Sequence, residues 1–404
     1  MTEQIRTTVF TNGCTVISRP LPHAASVAVG LWLLNGSRHE QRSQQGYAHL
    51  LEHLFFKSAG PYDARAIARM TDRWGSQVNA FTGRELTALH GWVPSNRMGE
   101  LTELLITMVT DTRFSAADLE AEQGVILQEM AGQSDAPDEA VETRAVELAC
   151  GDHPLGRDIL GTAETVSAAT VETLQLYRRG LLAGQRLAVV AVGAVDHDAL
   201  VARCAPLERL PAGKRPATVA PILQGGERSE RQQTEQAHLV WVMPAPAAGA
   251  RTLPAAAIGN YLLGDGVSSR LFQEVRERLG LVYDIRSALE TFSDCGLWII
   301  QTACRPRDYD RCRHAIEQCL ELLLDHGPSA EEMADARDHI ASALALEQDT
   351  LEHYMERLAR EHFYLGRHPD LEERLAQVAA VTPTEVQAAL TEAWRQRLHL
   401  VWRP

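Results

Sequence analysis

At 404 residues the chain is too long for one ordinary compact domain and comfortable for two, and its 45% hydrophobic content is enough for sizeable cores. The formal net charge of −14 excludes the basic footprint that nucleic-acid binding needs, and no run of about 18 uncharged apolar residues is present to cross a membrane. The seven cysteines are odd in number, scattered and without a C-x-x-C spacing, so they read as reduced thiols of a cytoplasmic protein rather than a disulfide framework or a zinc cluster.

Met1 to Phe10 carries Glu3, Arg6 and several threonines and lacks the apolar region of a signal peptide. Strands are expected at Thr7–Phe10, Thr15–Ser18 (after the Asn12-Gly13 turn) and Ser26–Leu34. Helices follow near 44–58 and 63–74, then strands Gln77–Thr82 and Leu86–Trp92, then helices near 95–111, 115–133 and 137–149. An amphipathic segment, Val166 to Leu182, precedes a strand beginning Gln185-Arg186-Leu187. Pro211 to Glu230, rich in proline and glycine and ending in charge, reads as a linker. Beyond it the pattern repeats: strand 237–243, helices 253–263 and 269–279, strands 282–291 and 296–304, then long helices. Thr382-Pro383-Thr384-Glu385 opens the last helix with an N-cap threonine, a first-turn proline and a glutamate three on, and a strand beginning Gln396-Arg397-Leu398 closes the chain. Strands and helices mixed in this order, with adjacent hairpins, predict α+β domains, antiparallel-rich sheets packed with helices. The repeated order suggests an internal duplication. The expected division is residues 1–210, a linker at 211–230, and 231–404.

The strongest chemical signal is His49-Leu50-Leu51-Glu52-His53. On a helix, His49 and His53 at i and i+4 bring two imidazoles to one face, where they can converge on one ion. Glu52, on a neighbouring part of that face, can take a proton from water without being a ligand; this is the inverted H-x-x-E-H order. The competing reading is a buried helix with two incidental histidines. A catalytic zinc needs a third protein ligand and an open position. The helix opening at Ser115 offers Glu120, Glu122 and Glu129; Glu122 and Glu129 are seven apart and share a face, whereas Glu120 points elsewhere. One of the pair can ligate while the other holds a histidine ring nitrogen, and spacing alone does not choose between them.

These residues resemble the pitrilysin/insulinase superfamily of zinc peptidases, and within it the short-chain group related to mitochondrial processing peptidase. The resemblance runs through Gly36–Glu40, Gly46–Lys57, Gly75–Thr82, Glu122–Met130, His153–Arg157, Gly161-Thr162, Ser268–Arg276 and Gly280–Tyr283. It implies two similar α+β halves, one Zn2+ per chain, Glu129 as the third metal ligand (76 positions after His53), and Glu122 as the carboxylate behind a ligating histidine. It further implies that Asn79 and Ala80 lie on an edge strand to which an extended peptide adds. Arg276 and Tyr283 match a pair that grips the substrate backbone near the scissile bond. Two such chains, identical or related, are expected to close around a peptide, each pair completing the other chain's site. Ser58-Ala59 departs from the Gly-Thr ending usual after Lys57 and touches no ligand position.

The function expected is zinc-dependent endopeptidase activity on peptides or small unfolded polypeptides. The alternatives are a dedicated maturation peptidase for a ribosomally made precursor and a non-catalytic assembly subunit of the same fold, although the motif set is intact. Gly264 to Ser269 lacks the lysine of a P-loop and the third glycine of a dinucleotide fingerprint, and reads as a tight turn. His353 and Glu361-His362 lack a matching carboxylate spacing and read as structural.

Overall fold

The structure, a computed structural model, describes residues 5–404, so the first four residues of the stretch read for a leader lie outside it. The described residues form thirteen strands: β1 (Arg6–Val9), β2 (Thr15–Pro20), β3 (Ser26–Leu33), β4 (Ser58–Ala59), β5 (Tyr62–Asp63), β6 (Val78–Thr82), β7 (Thr87–Pro94), β8 (Leu187–Gly193), β9 (Gly226–Arg231), β10 (Ala237–Ala245), β11 (Val282–Thr291), β12 (Gly296–Cys304) and β13 (Leu398–Arg403). A six-stranded sheet runs β1-β2-β8-β3-β7-β6 and a five-stranded sheet β11-β12-β10-β13-β9; β4 and β5 make a small hairpin.

Each sheet is antiparallel apart from one parallel pair, β2 with β8 and β13 with β9. Placing β9, β13, β10, β12 and β11 over β2, β8, β3, β7 and β6 reproduces the same neighbours and the same parallel pair, so the two halves repeat one topology. The linker expected at 211–230 is partly structured: its charged end is β9, which a reading by hydrophobic alternation misses because its residues are almost all exposed. The single helix expected over Val166–Leu182 is two, Ala163–Ala168 and Val171–Leu181. Thr170 interrupts it, its hydroxyl accepting from Thr173 N as the N-cap of the second. The helix expected at 269–279 is mostly π-helical, over Phe272–Arg278.

The chain forms two compact units. One contains the chain up to Met130, Arg157–Ala217 and Glu347–His368; the other contains Ala131–Gly156, Thr218–Leu346 and Pro369–Pro404. Each therefore takes one segment from beyond the expected 211–230 boundary. In the first unit, one face of the sheet meets the helices Tyr47–Phe55, Met98–Thr110 and Val171–Leu181 through Val29, Leu31, Leu51 and Leu105. Its other face is covered by the helix Leu351–Tyr364, whose Tyr354, Met355, Leu358 and Phe363 pack on Trp32, Ala188 and Val190. The second unit has the same arrangement. Trp241, Trp298 and Ile300 face helices of its own half, and Val240, Ile299 and Leu400 face the helix Pro137–Cys150. Both cores are rich in side chains that are essentially inaccessible to water, and their burial is the main force holding each sheet to its helices. Among the described residues no helix is long and apolar enough to cross a membrane, and all seven cysteines are free.

Two glycines set the entry of the helix that carries the histidines. Gly46, its N-cap, has φ +86° and Gly161 has φ +80°, where side chains are strained. A Cβ at Gly161 would sit 2.4 Å from the Gln45 carbonyl oxygen and 2.6 Å from Gly46 N. Neither is the end of a flexible side chain, so the helix itself would have to shift. Gly161→Ala is expected to lower the unfolding free energy by roughly 2–4 kcal/mol, read as a reduced denaturant midpoint at unchanged slope.

Candidate metal and catalytic site

The helix Tyr47–Phe55 buries Leu50, Leu51 and Leu54 in the core and turns His49, Glu52 and His53 away from it. Its N-terminus is held by Glu40, whose carboxylate accepts from Gly46 N at 2.9 Å and Ala48 N at 2.7 Å, a side-chain substitute for the missing preceding turn. Arg157 Nη1 donates to the Glu40 carbonyl at 2.6 Å. Burial pushes the Glu40 carboxyl up, to about 8, against the pull of the backbone N–H groups and Arg157. This explains locally why Gly36–Glu40, His153–Arg157 and Gly161-Thr162 accompany the histidine motif in sequence: they anchor its helix.

The carboxylates come from the helix Ala116–Ser134. Leu119 and Ile126, seven apart, are its buried anchors. Glu122 and Glu129 each follow one of them by three residues and so form the adjacent stripe. Gln123 fixes the helix further, donating to the carbonyls of Val166 (2.7 Å) and Ala169 (3.1 Å). Glu120 is exposed and takes no part.

The geometry separates the two glutamates that spacing left equivalent. Glu122 Oε2 lies 2.8 Å from His53 Nδ1. Glu129 Oε2 lies 4.0 Å from His53 Nε2 and 3.9 Å from His49 Nε2. One imidazole is thus bracketed, Glu122 on one nitrogen and Glu129 on the other. The His49 and His53 rings meet edge to face, 4.7 Å between centroids. Donor atoms of His49, His53 and Glu129 all lie within 4.8 Å of one another.

This set fits a divalent ion. Ligands 2.0–2.2 Å from a tetrahedral centre sit roughly 3.3–3.6 Å apart, so closure needs movements of about 1 Å, and the Glu129 side chain, 47% exposed, is free to make them. Burial, and the His53 ring beside it, push His49 down to about 4, leaving a neutral imidazole that can offer a lone pair. Desolvation opposes ionisation of Glu122, but hydrogen bonds from Lys57 and His53 hold its carboxyl below the ordinary range. A second donor group among the described residues, Glu227, Glu317 and His399, is filled differently: the Arg313 guanidinium is ion-paired to both carboxylates.

Glu52 is close to the same cluster without belonging to it. Burial raises its carboxyl pKa, with the Thr82 hydroxyl and His53 pulling it back and Glu129 adding to the rise. Its Oε2 is buried without a hydrogen-bond partner among the described residues. Beside it opens a cavity of about 530 Å³ with apolar walls at Phe56, Ile67, Ala68 and Val78, bordered by Glu52 and Thr71.

Asn79 and Ala80 lie on β6, the outer strand of the sheet, next to the motif helix. The Ala80 N–H is taken by the Asn79 side-chain oxygen at 2.9 Å, so an added strand must displace that amide. Arg276 and Tyr283 belong to the other unit, where they approach each other. The guanidinium lies 4.4 Å from the Phe272 ring and 5.8 Å from the Tyr283 ring, and Tyr283 is 87% exposed at an irregular start of β11. Phe272 and Arg276, four apart on the π-helical turn, are neighbours on one face. Sequence reasoning gave no role to Glu40, Thr82 or Lys57. The four-residue step from His53 to Lys57 was the available signal for the last.

A helix-borne histidine pair and a carboxylate opposite, with a second glutamate beside them, form a donor set suited to a divalent ion on a duplicated α+β fold. Residues 15–163 match the family model for insulinase (peptidase family M16), and residues 168–340 match the M16 inactive domain. An "uncharacterized zinc protease" of Mycobacterium tuberculosis is 35% identical over 392 residues, covering 95% of this chain and 89% of that protein. Another from Streptomyces coelicolor is 31% identical over 403 residues, covering 97% and 88%. The crystal structure of a protease from Helicobacter pylori superimposes with a TM-score of 0.92 at 18% identity, covering 100% of both chains, which shows the shared fold. The chain belongs to the M16 peptidase family.

The low pKa of His49 has a measurable consequence in metal-free protein. Between about 4 and the ordinary 6.5 the unfolded chain binds a proton at this residue and the folded chain does not. Stability therefore rises with pH through that window, is full above 6.5, and is lost as pH falls toward 4. His49→Gln is expected to flatten the stability-versus-pH curve there, measured by denaturation in the presence of chelator.

Proposed function

We propose that the chain is a zinc-dependent endopeptidase acting on peptides or small unfolded polypeptides. The observation that carries this reading is the convergence of the His49, His53 and Glu129 donor atoms with the half-buried Glu52 carboxylate beside them. His49, His53 and Glu129 would hold one Zn2+, with Glu122 fixing the His53 ring from behind. When bound, the ion lowers the pKa of a water toward about 7 and polarises the scissile carbonyl.

The chain's own residues supply the rest. Glu52, its pKa raised by burial, accepts the proton of the attacking water and returns it to the leaving amine. The peptide lies along β6, exchanging its backbone hydrogen bonds for the Asn79–Ala80 contact. The cavity beside Glu52 takes one apolar side chain flanking the cleaved bond. Arg276 and Tyr283, contributed by a second chain of the same or a related kind, donate to the substrate backbone where negative charge develops. The names of the Mycobacterium and Streptomyces relatives support zinc and proteolysis. The complete set of donors and base speaks against the non-catalytic subunit.

Purified protein is expected to hold one zinc per chain and to cleave peptides, with chelator abolishing cleavage. Glu52→Gln should retain the metal while lowering kcat at least about 100-fold. Undiminished cleavage by that variant in a fluorogenic peptide assay would remove Glu52 from the reaction. Ala68→Trp, on an exposed helix position, should narrow the cavity and shift peptide-library preference from large to small side chains without changing metal content.

A further inference from the structure

Lys57 lies four residues after His53, just past the end of the motif helix, where its N–H closes a turn on the Leu54 carbonyl at 3.1 Å. Its ammonium group is ion-paired to Glu122 Oε1. The other oxygen of that carboxylate, Oε2, receives His53 Nδ1 at 2.8 Å. Glu122 thus joins Lys57 to His53, one oxygen for each. The pair is sheltered, with side chains 25% and 12% exposed, so the attraction is screened less than in an ordinary surface ion pair.

A carboxylate free to rotate would leave the imidazole with no fixed partner. With both Glu122 oxygens assigned, the ring has one orientation and one tautomer: hydrogen on Nδ1, lone pair on Nε2, directed toward Glu129 4.0 Å away. The cavity wall would accept the ammonium as a substrate-facing cation, but the contact with Glu122 commits it to the ligand side. Charge balance points the same way. Glu52, Glu122 and Glu129 crowd around two histidines, and Lys57 is the cation paired with one of the three.

We infer that Lys57 is a positioning residue for metal binding, acting through Glu122 to lock the imidazole of His53 in its ligating orientation. The inference rests on the zinc reading above. The test is zinc affinity of the full-length protein, by competition with a chromophoric chelator, for wild type, Lys57→Met, Lys57→Arg, Glu122→Gln and the Lys57→Met/Glu122→Gln double variant. Denaturant midpoints serve as the folding check. Loss of a partner behind a ligand typically costs 10–100-fold in affinity, and Lys57→Met is expected to fall about that far at an unchanged midpoint. Lys57→Arg, which keeps the charge, should recover most of the loss. In the Glu122→Gln background, Lys57→Met should cost nothing further, because the two act through one contact. Wild-type affinity in Lys57→Met, or an equal loss with and without Glu122, overturns the role of Lys57 and leaves the zinc reading standing. Wild-type protein that binds no zinc overturns both.

Discussion

The arrangement depends on one imidazole held between two carboxylates. Glu122 and Glu129 sit two turns apart on one helix, and the His53 ring fits between them, a nitrogen toward each. This requires the glutamate helix and the histidine helix to cross at a fixed height and rotation. The structure spends many contacts on that requirement: Leu119 and Ile126 in the core, Gln123 on the carbonyls of Val166 and Ala169, and Glu40 at the start of the histidine helix. A slip of either helix by one residue would turn a ligand away from the site, because successive helical residues point about 100° apart.

Much of the site was legible because its chemistry is local. His49, Glu52 and His53 are within one helical turn or so, and spacing alone put them on one face. The choice between Glu122 and Glu129 was not legible, since both satisfy the same periodicity and only the tertiary crossing distinguishes a ring's front from its back. The resemblance assigned them, and in the structure they sit on opposite nitrogens of the His53 ring. Lys57 was hidden for a related reason: a lysine after a helix is ordinarily solvated, and nothing in the sequence says that a buried carboxylate awaits it.

The fold was legible at the level of element order and less so at the level of phase. The runs beginning Gln185-Arg186-Leu187 and Gln396-Arg397-Leu398 invite alignment, yet Leu187 faces the helices of its own half whereas Leu398 faces the helix Pro137–Cys150. Because side chains alternate across a strand, the two runs are out of step by one residue. The duplication rests on strand order and the shared parallel pair. Strand β9 escaped the reading because, at the sheet's edge, its exposed Gly226–Arg231 has no hydrophobic alternation to display. The π-helical turn at Phe272–Arg278 escaped because its residues are ordinary helix formers.

The helix Leu351–Tyr364 carries a consequence for how such a protein comes into being. Trp32, Ala188 and Val190 of the histidine-bearing unit are covered by that late segment. During synthesis, the sheet that supports His49 and His53 therefore emerges long before the piece that seals its second face. The nascent first half keeps a bare apolar surface until the helix Leu351–Tyr364 has left the ribosome. Maturation of the centre is thereby tied to synthesis of the helix Leu351–Tyr364, and a product truncated before it would carry the histidine motif on an unfinished scaffold.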